Sequence, residues 1–158
     1  MNRLSLVLSL SLLAGCGGTA APEEDVEACE HIKEGPGVSV TAAKDASATL
    51  PTVNEPHKRY DVSLVAESTG GARSGLVSYA STAEGDYALY LSADVPVEVT
   101  DSAGAAVAFE STTGSISSCT EVKSKRVLEL GVGTYTFRFG PTTQSSVSLV
   151  VESAAHAH

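Results

Sequence analysis

The feature that most constrains the fold is an alternation of apolar and polar residues that begins near Val38 and continues almost to the C-terminus. A period of two places successive side chains on opposite faces of a strand, so that one face is apolar and the other polar. The alternating segments are residues 38–42, 60–66, 76–80, 87–91, 95–99, 105–109, 127–130, 135–139 and 147–151.

Turn-forming residues separate these segments. They include Thr69-Gly70-Gly71, Glu84-Gly85-Asp86, Gly131-Val132-Gly133 and Gly140-Pro141. About eight or nine short strands separated by such turns predict an all-β chain, an antiparallel β-sandwich of the jelly-roll or immunoglobulin-like kind. We expect this single domain to span residues 38–152 and to follow one short N-terminal helix.

The N-terminus has the pattern of a secretory signal peptide, with Arg3 followed by an apolar run over residues 4–13 and small residues that lead to Cys16. The stretch Leu13-Ala14-Gly15-Cys16 resembles the lipobox of bacterial lipoproteins. The resemblance implies removal of residues 1–15, acylation of Cys16 at its thiol and its new amine, and a lipidated tether over residues 16–21. Membrane attachment would then rest on the lipid. Gly17 is not the aspartate associated with inner-membrane retention, so the expected location is the cell envelope, with the outer membrane favoured.

The chain is acidic, with 19 Asp and Glu against 10 Lys and Arg and a formal net charge of −9. Such a surface is a poor partner for nucleic acid. Six of the acids fall in one short N-terminal segment, where the simplest interpretation is a solvated helix face: Glu23, Glu24, Asp25, Glu27, Glu30 and Glu34.

Residues 22–37 predict a short acidic helix that begins at Pro22 and is stopped by Gly35-Pro36. Val26, Cys29 and Ile32 form an apolar stripe on it, which directs Cys29 inward. With Cys16 lipidated, an oxidising compartment favours a disulfide between Cys29 and Cys119. The alternative is two free thiols that act as metal ligands.

Residues 60–152 resemble the bacterial pre-peptidase C-terminal domain. The resemblance rests on a strand at Asp86-Tyr87-Ala88-Leu89-Tyr90-Leu91, a hairpin with Gly133-Thr134-Tyr135, and a final strand over residues 147–151. It implies a small sandwich that serves as a non-catalytic accessory module beside secreted enzymes. The cysteine-bearing helix, the histidine tail and the lack of an attached enzyme domain depart from that family.

The sequence carries no local signature of catalysis, since it has no G-x-S-x-G elbow, no dinucleotide-binding glycine pattern and no Walker loop. We therefore expect a protein that is not an enzyme.

Four histidines offer the remaining chemistry: His31 on the predicted helix, His57 before the strand at Tyr60, and His156 and His158 in a tail over residues 153–158. Imidazole nitrogen suits zinc, copper and nickel, and Glu30 or Glu152 could add an oxygen ligand. The competing interpretation is a frayed tail, a turn residue and a solvated helix residue.

Two functions follow from these patterns. The first is a non-catalytic binding or structural accessory module of the envelope, with an envelope protein or a glycan as partner. It predicts an exposed patch around Tyr79 and Tyr90, which strand parity points outward unless the neighbouring sheet covers them. The alternative is binding or delivery of a transition metal through His31, His57, His156 and His158.

Overall fold

The structure is a computed structural model, and it describes residues 21–68 and 70–153. The predicted signal peptide, the lipidation site Cys16 and the tail histidines His156 and His158 lie outside these residues. Within them, no helix has the length and apolar character needed to cross a bilayer.

The described residues form one helix and eleven strands. In chain order these are α1 (Glu23–Glu34), β1 (Gly37–Thr41), β2 (Arg59–Ser63), β3 (Val65–Ala66), β4 (Arg73–Ser81), β5 (Gly85–Leu91), β6 (Val97–Thr100), β7 (Ala106–Val107), β8 (Ser111–Thr113), β9 (Ser124–Leu130), β10 (Gly133–Thr142) and β11 (Ser146–Ser153). The chain is therefore mostly β, as the alternation predicted. More strands are present than the sequence suggested, partly because the alternating run 60–66 breaks at Leu64 into two strands.

The strands belong to two sheets, one of six strands in the order β1-β2-β11-β5-β9-β8 and one of five in the order β3-β4-β10-β6-β7. The break at Leu64 is where the chain passes from the first sheet to the second. The pairings are antiparallel with one exception, since β1 runs parallel to β2. A parallel pair needs a long crossover, and residues 42–58 provide it by passing along the edge of β4 through bridges at Ala43–Leu76 and Thr52–Ser78.

One apolar core lies between the two sheets. Tyr79 and Phe137 enter it from the five-stranded sheet, with ring centroids 5.4 Å apart, and Tyr87, Leu89 and Leu128 enter it from the six-stranded sheet. The outward orientation predicted for Tyr79 is therefore wrong. The run Leu76-Val77-Ser78-Tyr79-Ala80 is apolar at both parities, so alternation alone left its inward face undecided. Pairing of Val77 with Phe137 settles it, because directly opposed residues share a face.

Helix α1 covers the outer face of the six-stranded sheet. Tyr90 does point away from the inner core, as its parity predicted, but it is fully buried beneath the helix. Its hydroxyl donates to Asp25 Oδ1 at 2.7 Å, and Lys125 forms an ion pair with the same carboxylate. Burial and this hydrogen bond raise the pKa of Tyr90, which keeps the phenol protonated as a donor. The exposed patch predicted at Tyr90 is therefore occupied by the chain's own helix.

The buried side of α1 differs from the predicted stripe. Asp25, Ala28, Cys29 and Ile32 face the sheet, while Val26 is 43% exposed. The acidic segment is consequently only partly a solvated face, since Asp25 is 8% exposed and paired. The sequence pattern did not predict the burial of Asp25, because aspartate is normally a surface residue. Its partners Tyr90 and Lys125 are also distant in the sequence.

A disulfide fastens the helix to the sheet. The sulfur atoms of Cys29 and Cys119 are 2.04 Å apart, in the pairing that the sequence predicted. Both residues belong to the small apolar cluster beneath α1, together with Ile116 and Val122. At the other end of the helix, Arg59 Nη1 donates to Ile32 O at 3.0 Å.

The inner core should carry most of the stability. Phe137→Ala is expected to lower the free energy of unfolding by about 3–5 kcal/mol, because it removes a fully buried ring and leaves a cavity. Val132→Ala, at a side chain that is 73% exposed, should change it by less than about 0.5 kcal/mol. Urea unfolding with the disulfide intact measures both. Equal effects would contradict the assignment of the core.

Candidate metal centre

Two ligand-type side chains lie one turn apart on the same side of α1. Glu27 and His31 are four residues apart, a spacing that brings side chains together on a helix surface. Glu27 Oε1 is 3.7 Å from His31 Nε2. Cys29 lies between them in sequence but faces the opposite way, about 200° around the helix from each, because each residue advances the helix by about 100°. The disulfide and this pair therefore occupy different faces of α1.

The third side chain, His57, lies in the crossover just before β2. Its Nδ1 is 2.9 Å from Glu27 Oε1 and 2.9 Å from Glu152 Oε2. The His31 and His57 rings have centroids 5.9 Å apart. His57 has a left-handed backbone with φ of 53°, the one such non-glycine residue in the described part of the chain. Such a conformation costs free energy and is concentrated at sites where a side chain has to be aimed.

The fourth side chain, Glu152, comes from β11, where it pairs with Ala88 of β5. Because Ala88 faces the helix, Glu152 also lies on the covered outer face, and it is only 2% exposed. Burial, followed by repulsion from the Glu27 carboxylate, raises the pKa of Glu152 to about 8. The carboxyl group thus holds its proton at a pH where an exposed glutamate is ionised.

Two buried polar atoms in this group have no hydrogen-bond partner, His31 Nε2 and Glu152 Oε1. Most buried side-chain polar atoms have such a partner, so each exception calls for a physical explanation. Both atoms belong to side chains that bind transition metals.

The spacing of the donor atoms is close to that of a metal site. One oxygen of Glu27 and one nitrogen each of His31 and His57 all lie within 4.8 Å of one another. Ligand atoms about 2.0 Å from a tetrahedral zinc are about 3.3 Å apart. Side-chain rotations that move these three donors by about 1 Å would bring them to such distances. Glu152 Oε2 lies beside them, 2.9 Å from His57 Nδ1.

Some predicted ligands meet here and others do not. His31 and His57 lie together with Glu152, whereas His156 and His158 lie outside the described residues. Of the two carboxylates considered from sequence, Glu152 is present at the cluster, and Glu27 takes the place that Glu30 was expected to fill. Glu30 is exposed and lies about 100° around the helix from His31.

Glu27 could have been found from the sequence, because Glu27-x-x-x-His31 is a metal-compatible i, i+4 pair on a predicted helix.

Cys29 and Cys119, considered as alternative ligands, lie near Glu121. Their sulfur atoms are bonded to each other, so neither is the thiolate that metals bind.

No family model matches the chain, and no curated protein matches its sequence.

The buried Glu152 predicts an unusual dependence of stability on pH. In the unfolded chain its pKa is near 4.5, and in the folded chain it is about 8. The folded protein therefore retains a proton that the unfolded chain loses, and the free energy of unfolding should fall as the pH rises from about 4.5 to 8. Glu152→Gln should remove this contribution, as measured by urea unfolding at several pH values in the presence of a chelator.

Glu129→Gln is the matched control, since Glu129 is an exposed glutamate on β9. It should retain the wild-type dependence on pH. A Glu152→Gln protein that loses stability over this range as steeply as the wild type would show that Glu152 does not hold the proton.

Proposed function

We propose that this protein is a lipid-anchored protein of the cell envelope that binds a divalent transition-metal ion where α1 meets the six-stranded sheet. Glu27, His31 and His57 are the principal ligands, and Glu152 is the fourth. The observation that carries the proposal is the convergence of these groups from three separate segments, with His31 Nε2 and Glu152 Oε1 buried and without hydrogen-bond partners.

The competing explanation is a cluster without a metal ion, in which His57 lies between the carboxyl groups of Glu27 and Glu152. That arrangement accounts for the 2.9 Å contacts from His57 Nδ1 to Glu27 and Glu152. It leaves His31 Nε2 and Glu152 Oε1 without hydrogen-bond partners, which is costly for buried polar atoms. A metal ion engages all four side chains, and its two positive charges balance the two carboxylates beside neutral imidazoles.

The donor set indicates which ions the site would take. Two imidazoles with two carboxylates suit Zn²⁺, Cu²⁺ and Ni²⁺, whereas Cu⁺ prefers thiolate and thioether ligands. Protein side chains would fill a tetrahedral zinc shell, as they do in structural sites and not in catalytic ones. We therefore propose metal binding or delivery without catalysis.

The envelope setting rests on the lipobox and on chain length. Six residues, 17–22, separate Cys16 from the start of α1, and an extended chain of this length reaches only about 20 Å. Acylation of Cys16 would therefore hold the helix and its metal close to the membrane.

We further propose that the two sheets form a β-sandwich of the jelly-roll or immunoglobulin-like kind, related in pattern to the pre-peptidase C-terminal domain.

The test is calorimetric titration of the detergent-solubilised full-length protein with zinc sulfate at pH 7.5. Glu27→Gln and His57→Ala should each weaken zinc binding at least about tenfold, because each removes a ligand. Glu30→Gln, an exposed glutamate on the same helix, should bind zinc as the wild type does. Zinc binding should also release protons and strengthen from pH 6 to pH 8, because bound glutamate and histidine are deprotonated.

A protein that ends at Ser153 separates this site from the histidine tail. Retained affinity would place the metal at the helix junction, and lost affinity would add His156 and His158 to the ligand set. Equal zinc affinity in the wild type, Glu27→Gln and His57→Ala would overturn the proposed site.

A second candidate function is the accessory module, with a glycan as its ligand. The observation that favours it is an open groove of about 600 Å³ across the outer face of the five-stranded sheet. Its walls are residues 44–46 together with Asp101, Ser102 and Gly104, and Leu76, Thr136 and Arg138 lie along it. This volume falls within the range of small-ligand sites.

Purified peptidoglycan is the probe for this groove. Leu76→Glu should reduce co-sedimentation with peptidoglycan at least about threefold by placing a charge within the groove. Thr112→Glu, on an exposed strand of the other sheet, should have no effect. Wild-type protein that stays in the supernatant would exclude this ligand.

A further inference from the structure

We propose that the Cys29–Cys119 disulfide controls the metal site, so that the oxidised protein holds the ion and reduction by a dithiol releases it. This inference rests on the proposed metal-binding function. It arises from a division within the ligand set. Glu27 and His31 belong to α1, whereas His57 and Glu152 belong to the body formed by the two sheets. The ion would join two parts that the disulfide also joins.

Cys29 lies on α1 between the ligands Glu27 and His31, so its bond to Cys119 restrains the position of both. It is two residues from Glu27 and two from His31, and its sulfur is bonded to Cys119 in the segment between β8 and β9. The helix is otherwise linked covalently to the body only through the main chain at Gly35. Opening the disulfide leaves α1 hinged at its C-terminal end, with Glu27 farther from that hinge than His31.

Besides the disulfide, non-covalent contacts hold α1 against the sheet, and they include the hydrogen bond from Arg59 Nη1 to Ile32 O and the ion pair of Glu24 with Lys125. The apolar residues on its buried side are Ala28, Cys29 and Ile32, and Asp25 adds its contacts to Tyr90 and Lys125. A helix of 12 residues is only marginally stable by itself in water. The disulfide therefore raises the effective concentration of the helix ligands at the sheet ligands, in the way that a tether strengthens binding at two linked sites.

The chemical step is thiol–disulfide exchange. The attacking dithiol forms a mixed disulfide with one cysteine, then closes into its own disulfide, and so supplies two electrons. The bond between Cys29 and Cys119 breaks, and the two protons of the dithiol leave two thiols on the protein. The released thiols lie on the opposite side of α1 from Glu27 and His31, so they do not replace those ligands in the metal site.

Metal binding should in turn affect reduction of the disulfide, because a reductant needs access to the sulfur atoms. Cys29 is 7% exposed and Cys119 is 2% exposed, so a reductant reaches the sulfur atoms when the helix opens from the sheet. The same opening separates Glu27 and His31 from His57 and Glu152. Metal bound across the junction should therefore protect the disulfide, as coupling between two sites requires.

The first experiment measures the rate at which a water-soluble phosphine reduces the disulfide of the full-length protein, followed by thiol alkylation and mass spectrometry. The phosphine takes oxygen from water to give a phosphine oxide and two protein thiols. Zinc at 100 times its dissociation constant should slow reduction about 100-fold, because it stabilises the closed form by that factor. His31→Ala at the same zinc concentration should be reduced at nearly the zinc-free rate.

The second experiment measures zinc affinity in the Cys29→Ser/Cys119→Ser protein, whose fold is checked by circular dichroism. We expect at least a tenfold loss of affinity relative to the oxidised wild type. If this variant does not fold, the reduction rates of the wild type and His31→Ala decide the question. Zinc binding to the wild type with no slowing of reduction overturns the disulfide control and leaves the metal site in place. No zinc binding to the wild type overturns both.

Discussion

The packing of α1 on the outer face of the six-stranded sheet is the interaction on which the rest of the candidate chemistry depends. Tyr90 extends from β5 beneath the helix, and its hydroxyl bonds the buried Asp25, whose charge is also balanced by Lys125. The disulfide from Cys29 adds a covalent link beside these contacts. Without this packing the outer face would be an exposed apolar surface, and Glu152 would be an ordinary solvated carboxylate.

The interface between α1 and the six-stranded sheet contains several ionisable groups. A buried charge there is costly unless it has a partner. One end holds a matched set, since Asp25 has both a phenol donor and an ammonium partner. The other end holds two carboxylates and two imidazoles, and two of their atoms lack hydrogen-bond partners. A buried carboxylate is stable when it is paired, protonated or bound to a metal. Because its pKa is raised, Glu152 is protonated at neutral pH in the absence of metal. Metal binding would stabilise the ionised carboxylate.

Sequence patterns predicted the β-rich chain, the helix and the cysteine pairing because each has a local or combinatorial cause. Alternation defines strands, proline and glycine limit the helix, and the expected lipidation of Cys16 leaves two cysteines with one pairing. The same patterns did not predict which way Tyr79 faces, because its strand is apolar at both parities and its partner strand is distant in sequence. They placed Tyr90 on the outer face but could not predict that the chain's own helix covers it.

The sequence by itself determined the types of residue available for a site: histidines and glutamates on a short helix, in a turn and on a last strand. Periodicity fixes which residues share a face of one element, because that relation is local. Only the tertiary structure decided that Glu27, His31, His57 and Glu152 meet, because their distances depend on the crossover before β2, on β11 lying beside β5, and on the helix lying across both. These contacts join residues that are far apart in the sequence, so no local pattern predicts them.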